Sequence, residues 1–162
     1  MRVTIVFAMM VVGCAVTAPA TAQNIPDAQR MLHALSPAVD KLVTATTNLS
    51  QMEETVQHGT PEFNFADHVV SLSFEYQGAM SEARAISKIL VNMTCPADAQ
   101  FVRGELGQSV QFAMQAADND IKAINAFLTR LTTPAIVSEA TKIRDLVIKI
   151  RDILKPFTGK EP

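Results

Sequence analysis

The stretch FADHVVSLSFEYQGAMSEARAISKILVNM, residues 65–93, carries the clearest indication of secondary structure in this chain. Its apolar and small side chains recur at alternating spacings of four and three residues, which is the period of one face of an α-helix. The positions on this stripe are Phe65, Val69, Leu72, Tyr76, Ala79, Ala83, Ile86, Leu90 and Met93. The spacing predicts a helix over about residues 61–93.

A β-hairpin over residues 62–76 is the alternative for the first part of this stretch. From Val70 to Tyr76 the apolar side chains alternate with polar ones, which is the pattern of a half-buried strand. We favour the helix because the helical stripe runs unbroken through the passage. In addition, the chain offers no further strands, and an isolated hairpin is only marginally stable in water.

Three further segments show the same helical period, over about residues 26–57, 97–131 and 134–155. A proline suits the first turn of a helix, because its missing N–H has no partner there. Prolines that mark helix starts in this way are Pro26, Pro61, Pro96 and Pro134, and Ser36–Pro37 either starts a helix or kinks the first one. Short connections make neighbouring helices antiparallel. The sequence therefore predicts an all-α, antiparallel up-down-up-down four-helix bundle.

Three glycines fall inside the predicted helices, at Gly78, Gly104 and Gly107. Glycine in a helix interior costs about 1 kcal/mol relative to alanine. We interpret the three as positions where a neighbouring helix packs closely; the alternative is a hinge or a contact with a ligand.

The N-terminal residues have the features of a bacterial export signal. Arg2 supplies a positive charge, Val3 to Val16 form a short apolar stretch, and Ala20-Thr21-Ala22 offers a small-residue cleavage site. The apolar stretch is shorter than the roughly 20 residues of a membrane-spanning helix. We therefore predict a cleavable signal peptide over residues 1–22 and a single helical-bundle domain over residues 23–162, exported to the periplasm or the extracellular space.

Lipid attachment is the alternative to simple cleavage. The sequence VVGC, residues 11–14, resembles a bacterial lipobox, whose cysteine becomes lipidated. In that case Cys14 would anchor the protein to a membrane.

Charge is distributed unevenly along the predicted mature chain, and no transmembrane helix is expected in it. Residues 23–120 carry a net charge of −7, whereas residues 121–162 carry +4. An overall acidic chain argues against nucleic acid as a partner, because phosphate recognition needs a dominant basic surface.

The basic charge is concentrated in KIRDLVIKIRDILK, residues 142–155, where seven residues nearly repeat. The predicted ion pairs join Asp145 to Lys149 and Asp152 to Lys155. This segment is either the closing helix with a solvated basic face or a strip that binds a membrane surface or a partner. The candidate interaction residues are Lys142, Arg144, Lys149 and Arg151.

Acidic residues and histidines collect around the first predicted turn. A divalent metal bound by Glu54, His58, Asp67 and His68 is one interpretation, because imidazole and carboxylate are common metal ligands. The plainer alternative is a solvated acidic turn between two helices.

Cys95 is the one cysteine that cleavage after Ala22 leaves in the chain. Without a second cysteine it cannot form an internal disulfide. We expect it to be buried and unreactive, or else to form an intermolecular disulfide that links a homodimer.

No catalytic motif is found in the sequence. It lacks a G-x-S-x-G nucleophile elbow, a C-x-x-C-H haem attachment site and a phosphate-binding glycine loop. We therefore expect no enzyme activity and no cofactor. The favoured function is a non-catalytic binding module for an unknown protein or envelope component. The alternative is a metal- or cofactor-binding bundle that uses the His58/His68 end.

Overall fold

A computed structural model describes residues 25–158, and in this range the chain is all-α. Helix α1 spans Ile25–Glu53, α2 spans Pro61–Asn92, α3 spans Pro96–Leu128 and α4 spans Pro134–Leu154, and a short 3₁₀ turn follows at Lys155–Phe157. No described residue lies in a strand, so the four predicted helices are confirmed and the hairpin alternative is wrong. The predicted signal peptide lies outside the described residues.

The helix boundaries follow from local chemistry. Before α2, Gly59 takes a φ of 79°, and the Thr60 hydroxyl then accepts a hydrogen bond from the backbone N–H of Phe63 at 3.3 Å. Pro61 occupies the first turn of α2, where it sacrifices no hydrogen bond. Pro37, in contrast, lies inside α1 and does not begin a helix.

Each helix packs against two neighbours, in the cyclic order α1–α2–α3–α4, with only minor contact across the α2–α4 diagonal. Contacts along α1 and α2 run in opposite directions: Arg84 reaches Ser36 at 3.4 Å, and Gln77 reaches Thr46 at 3.0 Å. The first and last helices are also neighbours: α1 and α4 pack against each other extensively. This arrangement is consistent with a four-helix bundle and places α4 between α1 and α3.

A continuous apolar core joins the four helices. The largest fully buried side chains come from every one of them and include Met31, Leu35, Tyr76, Ile124 and Ile143. Burial of such side chains contributes roughly 1.5–3 kcal/mol each.

The three helical glycines are not close-packing positions, so that interpretation is wrong. A Cβ atom added at Gly78, Gly104 or Gly107 would meet no other group of residues 25–158 within 4 Å. The α2 and α3 glycines therefore lie on open surface, and nothing in the structure offsets their cost in helix stability.

Candidate functional site

The predicted basic strip divides into two flanks of α4. Residues two positions apart on a helix are separated by about 200° around its axis. Arg144 accordingly reaches Asn125 of α3 at 3.4 Å, and Arg151 reaches Asp118 of α3 at 3.1 Å. Lys142 and Lys149 line a groove on the α1 side instead. The four side chains thus form two separate pairs.

The arginine pair is already neutralised by carboxylates. Arg144 donates from Nε and Nη2 to Asp145 at 2.9 and 2.7 Å, and Arg151 donates in the same manner to Asp152. Hydrogen bonds to Asp152 and Asp118 raise the pKa of Arg151. The predicted Asp145–Lys149 and Asp152–Lys155 pairs are therefore wrong, because the branched guanidinium of the preceding residue holds each aspartate.

The lysine pair borders a groove of about 520 Å³ between α1 and α4, which we call the α1–α4 groove. Ala45 and Leu146 provide apolar surface within it. Helix α1 contributes Lys41, Thr44, Ala45 and Asn48, and α4 contributes Glu139, Lys142, Asp145, Leu146 and Lys149. Three lysines thus surround a partly apolar groove.

Glu139 organises one end of the α1–α4 groove. Its side chain is buried, and it accepts hydrogen bonds from Asn48 Nδ2 at 3.1 Å and from Lys142 Nζ. Burial alone would raise the pKa of Glu139, but the hydrogen bonds from Lys142 and Asn48 outweigh burial and lower it. Glu139 therefore stays ionised at neutral pH and ties Lys142 to the first helix.

The other two lysines supply the charge that a partner can use. Among residues 25–158, neither Lys41 nor Lys149 forms an ion pair, and both side chains are exposed. The α1–α4 groove is thus a basic surface with two uncompensated cations. On the other flank of α4, Arg144 and Arg151 are already paired with carboxylates.

The histidines near the first turn contact aromatic rings. The His58 ring lies 4.3 Å from that of Phe63, and the His68 ring stacks on Phe127 with 5.3 Å between centroids. Both aromatic partners come from helices rather than from the turn itself. His68 therefore takes part in the packing of α2 on α3.

The four predicted metal ligands do not form a ligand group. No three histidine, cysteine, aspartate or glutamate side chains within residues 25–158 are close enough together to hold a metal ion, so Glu54, His58, Asp67 and His68 do not form a group of three or more ligands. Glu53, which the sequence did not single out, is the buried acid at this end, and burial followed by repulsion from Asp67 raises its pKa. Metal binding here stays a prediction without geometric support.

Cys95 precedes α3 and is half-buried. It is disulfide-bonded rather than a free thiol. The intermolecular disulfide and the homodimer stay predictions, and the lipid attachment predicted at Cys14 lies outside the described residues.

The described part of the chain is therefore an all-α protein of four helices, with a basic groove between the first helix and the last. No family model, curated protein or solved structure significantly matches this chain. Among the described helices, none combines the length and the apolar character needed to cross a bilayer.

Proposed function

We propose that this protein is an exported, non-catalytic binding module that recognises an acidic segment of a partner protein through the α1–α4 groove. The observation that carries the proposal is the pair of exposed, uncompensated lysines, Lys41 and Lys149, beside the apolar surface of Leu146. A surface that combines such charge with a small apolar strip suits one face of an amphipathic acidic helix.

The spacing of the lysines specifies the partner further. Lys142 and Lys149 are seven residues apart on α4, which corresponds to about 10 Å along the helix axis. Lys142 is paired with Glu139, but its side chain is 59% exposed, so it can also face a partner carboxylate. A partner helix with two carboxylates seven residues apart would match this distance. An apolar side chain between those carboxylates would then contact Leu146. Electrostatic complementarity of this kind contributes to both specificity and association rate.

The direct test is a fluorescence-anisotropy titration with a labelled synthetic helix that carries glutamates seven residues apart and leucines between them. We expect the protein to bind this peptide with an affinity that falls as salt rises. The double variant Lys41→Glu/Lys149→Glu should weaken binding roughly tenfold or more, because it replaces two attractions with two repulsions.

A matched control separates the groove from net charge. Lys88→Glu/Lys122→Glu makes the same change in net charge at exposed positions on α2 and α3. This control should bind the peptide as the unaltered protein does. Equal losses in the two double variants, or no binding of the peptide at low salt, would contradict the proposed groove.

Export is the second part of the proposal and is supported by the signal-like features of residues 1–22. When the complete chain is produced in a bacterium, we expect the mature protein in the periplasmic fraction, with Gln23 as its first residue. Mass spectrometry of the intact protein distinguishes the outcomes. A lipidated Cys14 at the N-terminus would support the membrane-anchored alternative, and an unprocessed cytoplasmic chain would refute export.

A further inference from the structure

Helix α2 carries two exposed carboxylates, those of Glu75 and Glu82, which lie seven residues apart. Within the described part of the chain neither of them forms an ion pair. Seven residues correspond to about 10 Å along a helix, which is the separation of Lys142 and Lys149 on α4. The chain itself therefore carries two carboxylates at the spacing of the two α4 lysines in the α1–α4 groove.

These two carboxylates point away from α1. On α2, Ser73 and Gln77 form hydrogen bonds to α1, and Glu75 is two residues from each of them. Arg84 also reaches α1, and Glu82 is two residues before it. A separation of two residues is about 200° around the helix axis, so both glutamates face the other way. Because the groove borders α1, a single copy cannot bring its own carboxylates to its own groove.

The order of residues on the two helices also agrees. On α4, Leu146 lies four residues after the first groove lysine and three before the second. On α2, Gly78 lies three residues after the first glutamate and four before the second. An antiparallel alignment of α4 with α2 of a second copy therefore brings all three positions into register. The opposed residues are Lys142 and Glu82, Leu146 and Gly78, and Lys149 and Glu75.

Gly78 provides room for the apolar contact in this alignment. It is exposed, and a Cβ atom placed there would have 4 Å of clear space from the other groups of residues 25–158. Leu146 of a second copy can therefore lie directly against the backbone of α2, between the two pairs of opposite charges. We call the exposed surface formed by Glu75, Gly78 and Glu82 the α2 acidic face.

The two acids that line the α1–α4 groove are already compensated. Glu139 is buried and accepts a hydrogen bond from Asn48, as well as one from the first groove lysine. Asp145 is paired with Arg144 at 2.7 Å. Lys41 adds a third positive charge to the groove from α1. The groove thus keeps the positive charge that the α2 acidic face complements.

We propose that the partner of the α1–α4 groove is a second copy of this chain, which inserts its α2 acidic face. This inference rests on the proposed function and identifies the acidic partner segment. The contact is heterologous, because the two surfaces differ and each copy carries one of each. Every added copy leaves one groove and one acidic face free, so the copies assemble head to tail into a chain.

Sedimentation equilibrium of the purified protein tests this self-association. One helix in one groove buries a small area, so the contact should be weak and transient. At low salt we expect the average mass to rise continuously as the protein concentration is raised toward about 1 mM, without a plateau at the dimer. At about 0.5 M salt the mass should return toward that of the monomer, because the charges are then screened within about 5 Å.

Charge exchange tests the register. Glu75→Lys and Lys149→Glu should each weaken association roughly tenfold or more, because an attraction becomes a repulsion. The double variant Glu75→Lys/Lys149→Glu should restore it. The control Glu105→Lys/Lys149→Glu has the same net charge but places its new lysine at an exposed position of α3, so it should remain weak.

A substitution without charge tests the apolar contact. Gly78→Gln improves the helix propensity of α2, but its side chain occupies the space that Leu146 of the second copy needs. We expect association to weaken roughly tenfold while circular dichroism shows an unchanged helix content.

Two results would overturn this self-association. One is a monomer at every concentration at low salt, and the other is equal association of the two double variants. The peptide titration described above then separates the two proposals. Binding of the glutamate helix by a protein that stays monomeric would refute only the second copy as partner, whereas loss of both would also refute the groove as an acidic-helix site.

Discussion

Replacing Ile143 with alanine should lower the free energy of unfolding by about 3 to 4 kcal/mol. Ile143 is fully buried in the centre of α4 and belongs to the core that joins all four helices. The loss combines the transfer free energy of the removed atoms with the cavity left behind, which neighbouring helices refill only in part. Urea unfolding followed by circular dichroism measures this change, provided that the m-value stays constant.

The matched control is Ile89→Ala on α2. The Ile89 side chain is 49% exposed, so the same truncation removes much less buried surface and should cost less than about 1 kcal/mol. Similar losses in the two variants would show that α4 does not contribute its apolar face to a shared core.

The contrast between these two isoleucines shows how far periodicity predicts the fold. Whether a side chain lies on the apolar face of its own helix depends on local spacing alone. For this reason the stripe from Phe65 to Met93 indicated a helix rather than a hairpin. Ile89 is 49% exposed although it lies three residues after the stripe residue Ile86, a spacing that the helical period allows on the same face, so the edge of the buried face is set by tertiary packing.

The sequence was also sufficient to predict that the basic strip divides between two flanks of α4. A separation of two residues always places side chains on nearly opposite sides of a helix, so Lys142 and Arg144 face different neighbours. The sequence did not reveal which neighbours these were. Lys41 and Asn48 join the groove only because the first helix packs against the last, and this adjacency belongs to the tertiary structure.

The sequence did not lead us to Asp120 as a buried acid of α3, although the helical period contained a signal for it. The residue lies on the buried face of α3, whereas Asp118, two positions earlier, is exposed and pairs with Arg151. An acid at a core-facing position is the informative exception in an apolar stripe. The predicted metal site was argued from sequence proximity alone; among residues 25–158, Glu54, His58, Asp67 and His68 do not form a group of three or more ligands, and metal binding stays a prediction.

The triple variant Gly78→Ala/Gly104→Ala/Gly107→Ala should raise the free energy of unfolding by about 2 to 3 kcal/mol. Each alanine reduces the entropy of the unfolded chain and improves helix propensity by up to about 1 kcal/mol. The gain is not cancelled by a clash, because at each of the three positions an added Cβ has no group from the described part of the chain within 4 Å. Urea unfolding of the triple variant and of each single variant tests both the size and the additivity of the effect.

Gly59→Ala is the control that should act in the opposite direction. Gly59 also has open space where a methyl group would be added, but its φ of 79° is a backbone conformation that alanine adopts only at a cost of roughly 1 to 2 kcal/mol. The pair of experiments therefore separates steric room from backbone conformation. If the helical substitutions destabilise the protein, the helix-propensity argument is contradicted for these positions.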